Sequence, residues 1–102
     1  MVDRKSRDLM ADEIAPGTCR IGTVGDKQVA IFNVDGQFYA TQAECTHRGG
    51  PLCEGALWGD IVTCPWHGLE FHVPSGRCVA YPDVKLRTFE VVERDGDVVV
   101  VL

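Results

Sequence analysis

The sequence predicts an all-β fold: a β-sandwich or small barrel that carries a loop-rich insertion. Three observations carry this. Short apolar and β-branched runs recur along the chain with Gly-, Asp- or Pro-containing turns between them. The C-terminal stretch Thr88–Leu102 is dense in valine, which favours strand over helix. A helical turn is expected only at Asp8–Glu13, where Pro16-Gly17 would end it.

Taken in order, Thr18–Val24 reads as a strand, and Gly25-Asp26 as a tight turn into the strand Lys27–Val34. Asp35-Gly36 is a second hairpin signal leading into Gln37–Ala43, and these three segments resemble a β-meander. The pattern then changes. Glu44–Gly55 carries Gly49-Gly50-Pro51 and little periodicity, so it reads as an ordered loop. Leu57-Trp58, Gly59-Asp60 and Ile61–Thr63 suggest a short hairpin, Cys64–Gly68 a second loop, and Pro74-Ser75-Gly76 a further turn. Thr88–Glu93, the turn Asp95-Gly96 and Asp97–Leu102 close the chain as a hairpin.

The chain has 102 residues, 45% of them apolar and 25% charged, the balance of a soluble globular domain. No stretch is long and apolar enough to cross a bilayer, and Met1–Met10 has no apolar h-region, so a cytoplasmic protein with no membrane partner is expected. A net charge of −5 argues against a nucleic-acid partner and suits a partner with a basic docking surface. Five cysteines without a secretory signal make an all-disulfide framework unexpected.

Two short motifs concentrate metal-ligating chemistry: Cys45-Thr46-His47 and Cys64-Pro65-Trp66-His67, with sixteen residues between His47 and Cys64. Each supplies one thiolate and one imidazole from a loop. Two chemistries accept that donor set: a structural zinc site, and a binuclear [2Fe–2S] cluster with two thiolates on one iron and two imidazoles on the other. Zinc fingers group cysteines at one end and histidines at the other. Here they interleave, so two facing loops can sort sulfurs to one side and nitrogens to the other, which suits a cluster. Gly49, Gly50 and Gly68 allow close backbone approach to it.

At these residues the sequence resembles the Rieske family. Cys45-Thr46-His47-Arg48-Gly49-Gly50 and Cys64-Pro65-Trp66-His67-Gly68 match its two cluster-binding boxes, and Pro74-Ser75-Gly76 falls where the family has a third loop over the cluster. The resemblance implies a single Rieske-like domain over residues 1–102, its cluster-binding part at about 44–81. It also implies one [2Fe–2S] cluster held by Cys45, His47, Cys64 and His67. High-potential members carry a cysteine pair where this chain has Gly50 and Trp66, so that disulfide is not expected. They also carry hydroxyl donors to the cluster sulfurs where this chain has Leu69 and Phe71. Without those donors the reduced cluster is less stabilised, placing the potential in the lower part of the family range of about −150 to +300 mV. The resemblance further implies that the edges of His47 and His67 face solvent and that the potential falls at alkaline pH.

The remaining candidates take plainer readings. Cys19, Cys53 and Cys78 are expected as small buried apolar side chains rather than a disulfide or redox sensor. His72 is expected in surface or core packing, Trp58 in the core or on a sheet face, and Arg48 and Glu70 as solvated loop charges. Trp66 shields the cluster, lines a docking surface or simply packs its loop.

The function implied is a ferredoxin carrying single electrons from a flavin-dependent or other NAD(P)H reductase to a terminal oxygenase, with no catalytic residues of its own. Alternatives are the small subunit of an NAD(P)H nitrite reductase and a zinc-stabilised binding module. The chain has three histidines, too few for the cluster and a mononuclear oxygenase iron together.

Overall fold

The structure, a computed structural model, describes residues 3–10, 13–24, 26–45, 49–66, 68–94 and 96–101; for 3–10 and 94 it describes the main chain alone. The turn residues Gly25 and Asp95, and Leu102, lie outside the described residues. Strands form at β1 (Asp3–Met10), β2 (Cys19–Val24), β3 (Lys27–Val34), β4 (Gln37–Gln42), β5 (Leu57–Trp58), β6 (Ile61–Thr63), β7 (Glu70–His72), β8 (Thr88–Arg94) and β9 (Asp97–Val101). A 3-10 turn follows the first motif at Leu52–Glu54.

Six strands make one antiparallel sheet in the order β1-β9-β8-β4-β3-β2. Its end strands β1 and β2 approach each other, so the sheet curls into a partial barrel. β5, β6 and β7 form a separate three-stranded antiparallel sheet that holds the insertion. Among the described residues no helix is long and apolar enough to cross a membrane.

Strand β3 organises the interior. Side chains alternate across a strand, and Val29–Asn33 are all buried. Val29 and Ile31 join Ile14, Val24, Phe38, Ala40, Val98 and Val100 in one core. Ala30 and Phe32 point the other way, into a core with Leu52, Val62, Phe71, Val73 and Leu86 that also contains Cys45, Cys64 and Cys78. Phe32 and Phe71 are both 0% exposed; burying a side chain of that kind contributes about 1.5–3 kcal/mol.

The β3–β4 hairpin turns on Asp35-Gly36 at φ 50° and 91°. That pair of positive angles matches the right-handed twist of the flanking strands. Asn33, buried just before the turn, fastens it from inside: its Nδ2 donates to the Ile14 carbonyl (2.7 Å), and its Oδ1 accepts from the Gly36 amide (2.7 Å).

Two expectations are corrected and a third is narrowed. Of the helical turn expected over Asp8–Glu13, Asp8–Met10 belongs instead to strand β1, Ala11 and Asp12 lie outside the described residues, and Glu13 is in 3-10 conformation. β1 pairs with β9 (Asp3↔Val101, Arg4↔Val100, Lys5↔Val99, Met10↔Asp97), and that ladder overrides local helical preference. Of the two places expected for Trp58, the structure takes the sheet face and not the core: it lies in β5, paired with Ile61, and is 80% exposed. Cys19 and Cys53 form a disulfide, with Cα atoms 5.1 Å apart, because the start of β2 lies against the 3-10 turn. Cys78 stays a buried cysteine outside that bond. For a sequence separation of 34 the loop-entropy account gives the disulfide about 4 kcal/mol of stabilisation.

The substitution Asn33→Ala removes both bonds and leaves the buried Ile14 carbonyl without its donor. It is expected to cost about 2 kcal/mol, read as a lower urea midpoint at unchanged slope; a midpoint equal to wild type contradicts the role given to Asn33.

Candidate metal centre

Both cysteines of the predicted motifs open a loop closed in the same way. The Cys45 amide donates to the Gly50 carbonyl (2.7 Å), and the Cys64 amide donates to the Leu69 carbonyl (2.8 Å). Each bond spans five residues, so each motif sits on a loop pinched shut at its neck. The first loop leaves β4 and returns through the bridge Glu44↔Pro51 and the bond from the Leu52 amide to the Ala43 carbonyl (3.1 Å). The second caps the β6–β7 hairpin, whose last pair is Thr63↔Glu70. Both loops therefore hang from ladders, which is what holds ligating groups still.

The two loops meet at one glycine. A Cβ placed on Gly50 would lie 2.8 Å from Cys64 Sγ and 3.1 and 3.3 Å from Cγ and Cβ of Trp66. The carbonyl of that same glycine holds the Cys45 amide. Cys45 and Cys64 are 3% and 1% exposed, so both sulfur-bearing residues converge out of water on the core that Phe32 and Phe71 build. Gly55 makes the second close approach. A Cβ there would collide with the Thr63 carbonyl oxygen, so the turn after the first loop abuts the residue just before Cys64.

Other side chains fasten this frame. Gln42, at the end of β4, donates from Nε2 to the Glu44 carbonyl (2.8 Å) and accepts the Arg87 amide at Oε1 (2.8 Å). It thus ties the first loop's entry to the segment leading into β8. The turn at Pro74-Ser75-Gly76 is held by His72. Nδ1 of His72 meets Ser75 Oγ at 2.7 Å and accepts the Ser75 amide, while Nε2 lies 3.0 Å from Asp60 Oδ2. Because Nδ1 accepts an amide proton, the neutral ring carries its hydrogen at Nε2, facing the Asp60 carboxylate.

The predicted residues divide in two. Cys45 and Cys64 are brought together. Thr46, His47, Arg48 and His67 lie outside the described residues. Their neighbours Pro65, Trp66 and Gly68 are exposed, so the second loop's tip faces solvent. Trp66 is 61% exposed and rests its ring base against Gly50. Glu70 is exposed, as expected of a solvated charge. Sequence reasoning missed Gln42 and the His72–Asp60–Ser75 fastening, because no spacing rule joins residues on separate elements.

Gly50→Ala is expected to lower stability by about 1–3 kcal/mol through overpacking. In double-mutant cycles on the metal-free protein it should couple more strongly to Cys64→Ala than to Trp66→Ala, the sulfur being nearer. Equal stability of Gly50→Ala and wild type contradicts the convergence.

Comparison with known proteins agrees with this architecture. The family model for the Rieske [2Fe–2S] domain matches residues 5–90. The chain is 42% identical over 92 residues to "Ferredoxin CarAc" of Metapseudomonas resinovorans, covering 88% of this chain and 86% of that one. It is 41% identical over 90 residues to the ferredoxin component of biphenyl 2,3-dioxygenase from Rhodococcus jostii (strain RHA1), covering 87% and 83%. Among solved structures it superimposes on a chain from the complex of reduced oxygenase and oxidized ferredoxin in carbazole 1,9a-dioxygenase. The TM-score is 0.85 at 40% identity, over 97% of this chain and 92% of that one. A family model matching most of the chain, and relatives this similar over most of both lengths, establish that the protein belongs to the Rieske [2Fe–2S] domain family.

Proposed function

We propose that this chain is a low-potential Rieske ferredoxin that carries single electrons from a flavin-dependent or other NAD(P)H reductase to a terminal oxygenase. Its one [2Fe–2S] cluster is held by Cys45 and Cys64 on one iron and His47 and His67 on the other, within a single domain over 1–102. The observation that carries this reading is the meeting of two matched loops at Gly50, which brings both buried cysteines into one core. Ferredoxin relatives of dioxygenase systems, similar over most of their length, support the role of carrier.

The residues present suit the group. Two buried sulfurs favour a soft metal, and Gly50, having no side chain, lets the Cys64 sulfur come up against the first loop. The cluster supplies one-electron redox chemistry. The chain does the rest. Cys45 and Cys64 keep their sulfurs out of water, and the ladders beneath them resist rearrangement when charge changes. Pro65, Trp66 and Gly68, the sequence neighbours of His67, are exposed, so a partner can approach the loop that carries it. Trp66 beside it offers apolar contact area, and the net charge of −5 favours a basic docking surface.

The direct test mixes dithionite-reduced protein anaerobically with an oxidised Rieske-type terminal oxygenase. One electron per chain should pass, with a rate that falls as salt is raised. A reduced protein that keeps its electron against a panel of such oxygenases contradicts the carrier reading.

The potential gives a second test. Leu69 sits at the neck of the second loop and brings no hydroxyl. Leu69→Ser should raise the potential, because a donor to sulfur favours the more negative reduced state. Differential stabilisation of about 1.4 kcal/mol moves a one-electron couple by about 59 mV. A potential that is unchanged or lower in Leu69→Ser contradicts the account of why this centre is low.

A further inference from the structure

We infer that the Cys19–Cys53 disulfide is a reversible thiol–disulfide site that governs how firmly the first ligand loop holds its metal. The inference rests on the reading of Cys45 as a cluster ligand. The pair packs against the core that holds Cys45 and Cys64, and neither sulfur is among the atoms that crowd Gly50, where the two ligand loops touch.

The argument is positional. Cys53 belongs to the 3-10 turn Leu52–Glu54, the return leg of the first loop. Cys19 opens β2, an edge strand of the large sheet. On its β4 side the return leg is held by the bond from the Leu52 amide to the Ala43 carbonyl. Toward β2, among the described residues no backbone bond runs from the 3-10 turn to that strand, and the covalent tether is the disulfide. Opening it therefore leaves the ladders and the buried Leu52 in place. What it removes is the lateral restraint on the loop that starts at Cys45. Both cysteines are partly exposed, so a reductant can reach them, whereas Cys78 is 1% exposed and outside the bond.

The chemistry balances with a dithiol as reductant. A dithiol thiolate attacks one sulfur of the pair, the S–S bond breaks, and the second thiolate of the reductant resolves the mixed disulfide. Two electrons and two protons pass to Cys19 and Cys53, which become thiols, and the dithiol leaves as its own disulfide. Such a site would couple cluster retention to the thiol state of the compartment.

The test uses the holoprotein as purified. Iron per chain is assayed, and the visible absorption is followed after adding an excess of EDTA, with and without prior dithiothreitol. The same samples are denatured in iodoacetamide and mapped by mass. Without dithiothreitol, Cys19 and Cys53 should be protected from alkylation; after it, both should be labelled. Cluster loss to the chelator should then run roughly tenfold faster, equivalent to about 1.4 kcal/mol. The Cys19→Ser/Cys53→Ser variant should lose its cluster at that faster rate with or without dithiothreitol. The wild-type comparison needs no variant to fold.

Two results overturn the inference alone: iron present with a loss rate indifferent to the state of the pair, or Cys19 and Cys53 still labelled as thiols after treatment with diamide. A preparation that holds no iron under any condition overturns the cluster reading and this inference together.

Discussion

Val29–Asn33 are buried along a single strand, so their alternating side chains must be received by two separate cores. One core closes the curled sheet. The other is completed chiefly by the insertion, through Leu52, Val62, Phe71 and Val73. The insertion is therefore anchored where Ala30 and Phe32 demand a partner, and it brings Cys45 and Cys64 into that same core. A site built this way takes its rigidity from hydrophobic packing that the domain needs anyway. Interiors packed at crystal-like density transmit displacement rather than absorb it, which suits a carrier whose centre should move little when one charge is added.

Close approach of backbone is the second constraint. Gly50 admits the sulfur of Cys64, and Gly55 admits the carbonyl of Thr63. Each glycine sits on the first loop or its return leg and faces the second loop or the strand that leads into it. The loops are thus referenced to each other twice, once at the sulfurs and once at their base. Hydrogen bonds from Gln42 and His72 add alignment on either side. Pairs as exposed as His72 and Asp60 contribute little to stability; their use is to hold the turn at Pro74–Gly76 in one place.

Much of this was legible in the sequence, and the boundary has a physical reason. The β2–β3–β4 meander, the β5–β6 hairpin and the closing β8–β9 hairpin each carry their signal locally, as two-residue periodicity flanked by turn residues. The two ligand motifs are legible for the same reason, since four donors lie within two short windows. Strand β1 was not legible. It is a polar edge strand whose partner β9 lies at the other end of the chain, and polar edges carry no apolar alternation. The Cys19–Cys53 bond was hidden because a separation of 34 residues leaves no mark in composition. Trp58 was left between core and sheet face because an exposed strand tryptophan looks, in sequence, like a buried one.

The central claim is that Cys45, His47, Cys64 and His67 hold a mixed-ligand binuclear cluster. The measurement that tests it most directly is electron paramagnetic resonance before and after dithionite, with iron and acid-labile sulfide assayed on the same sample. The account predicts iron and sulfide in equal amounts, a silent oxidised form, and a rhombic reduced signal whose average g lies below that of an all-cysteine cluster. Zinc in place of iron, no sulfide, and silence in both states would contradict it and leave a zinc-stabilised module instead.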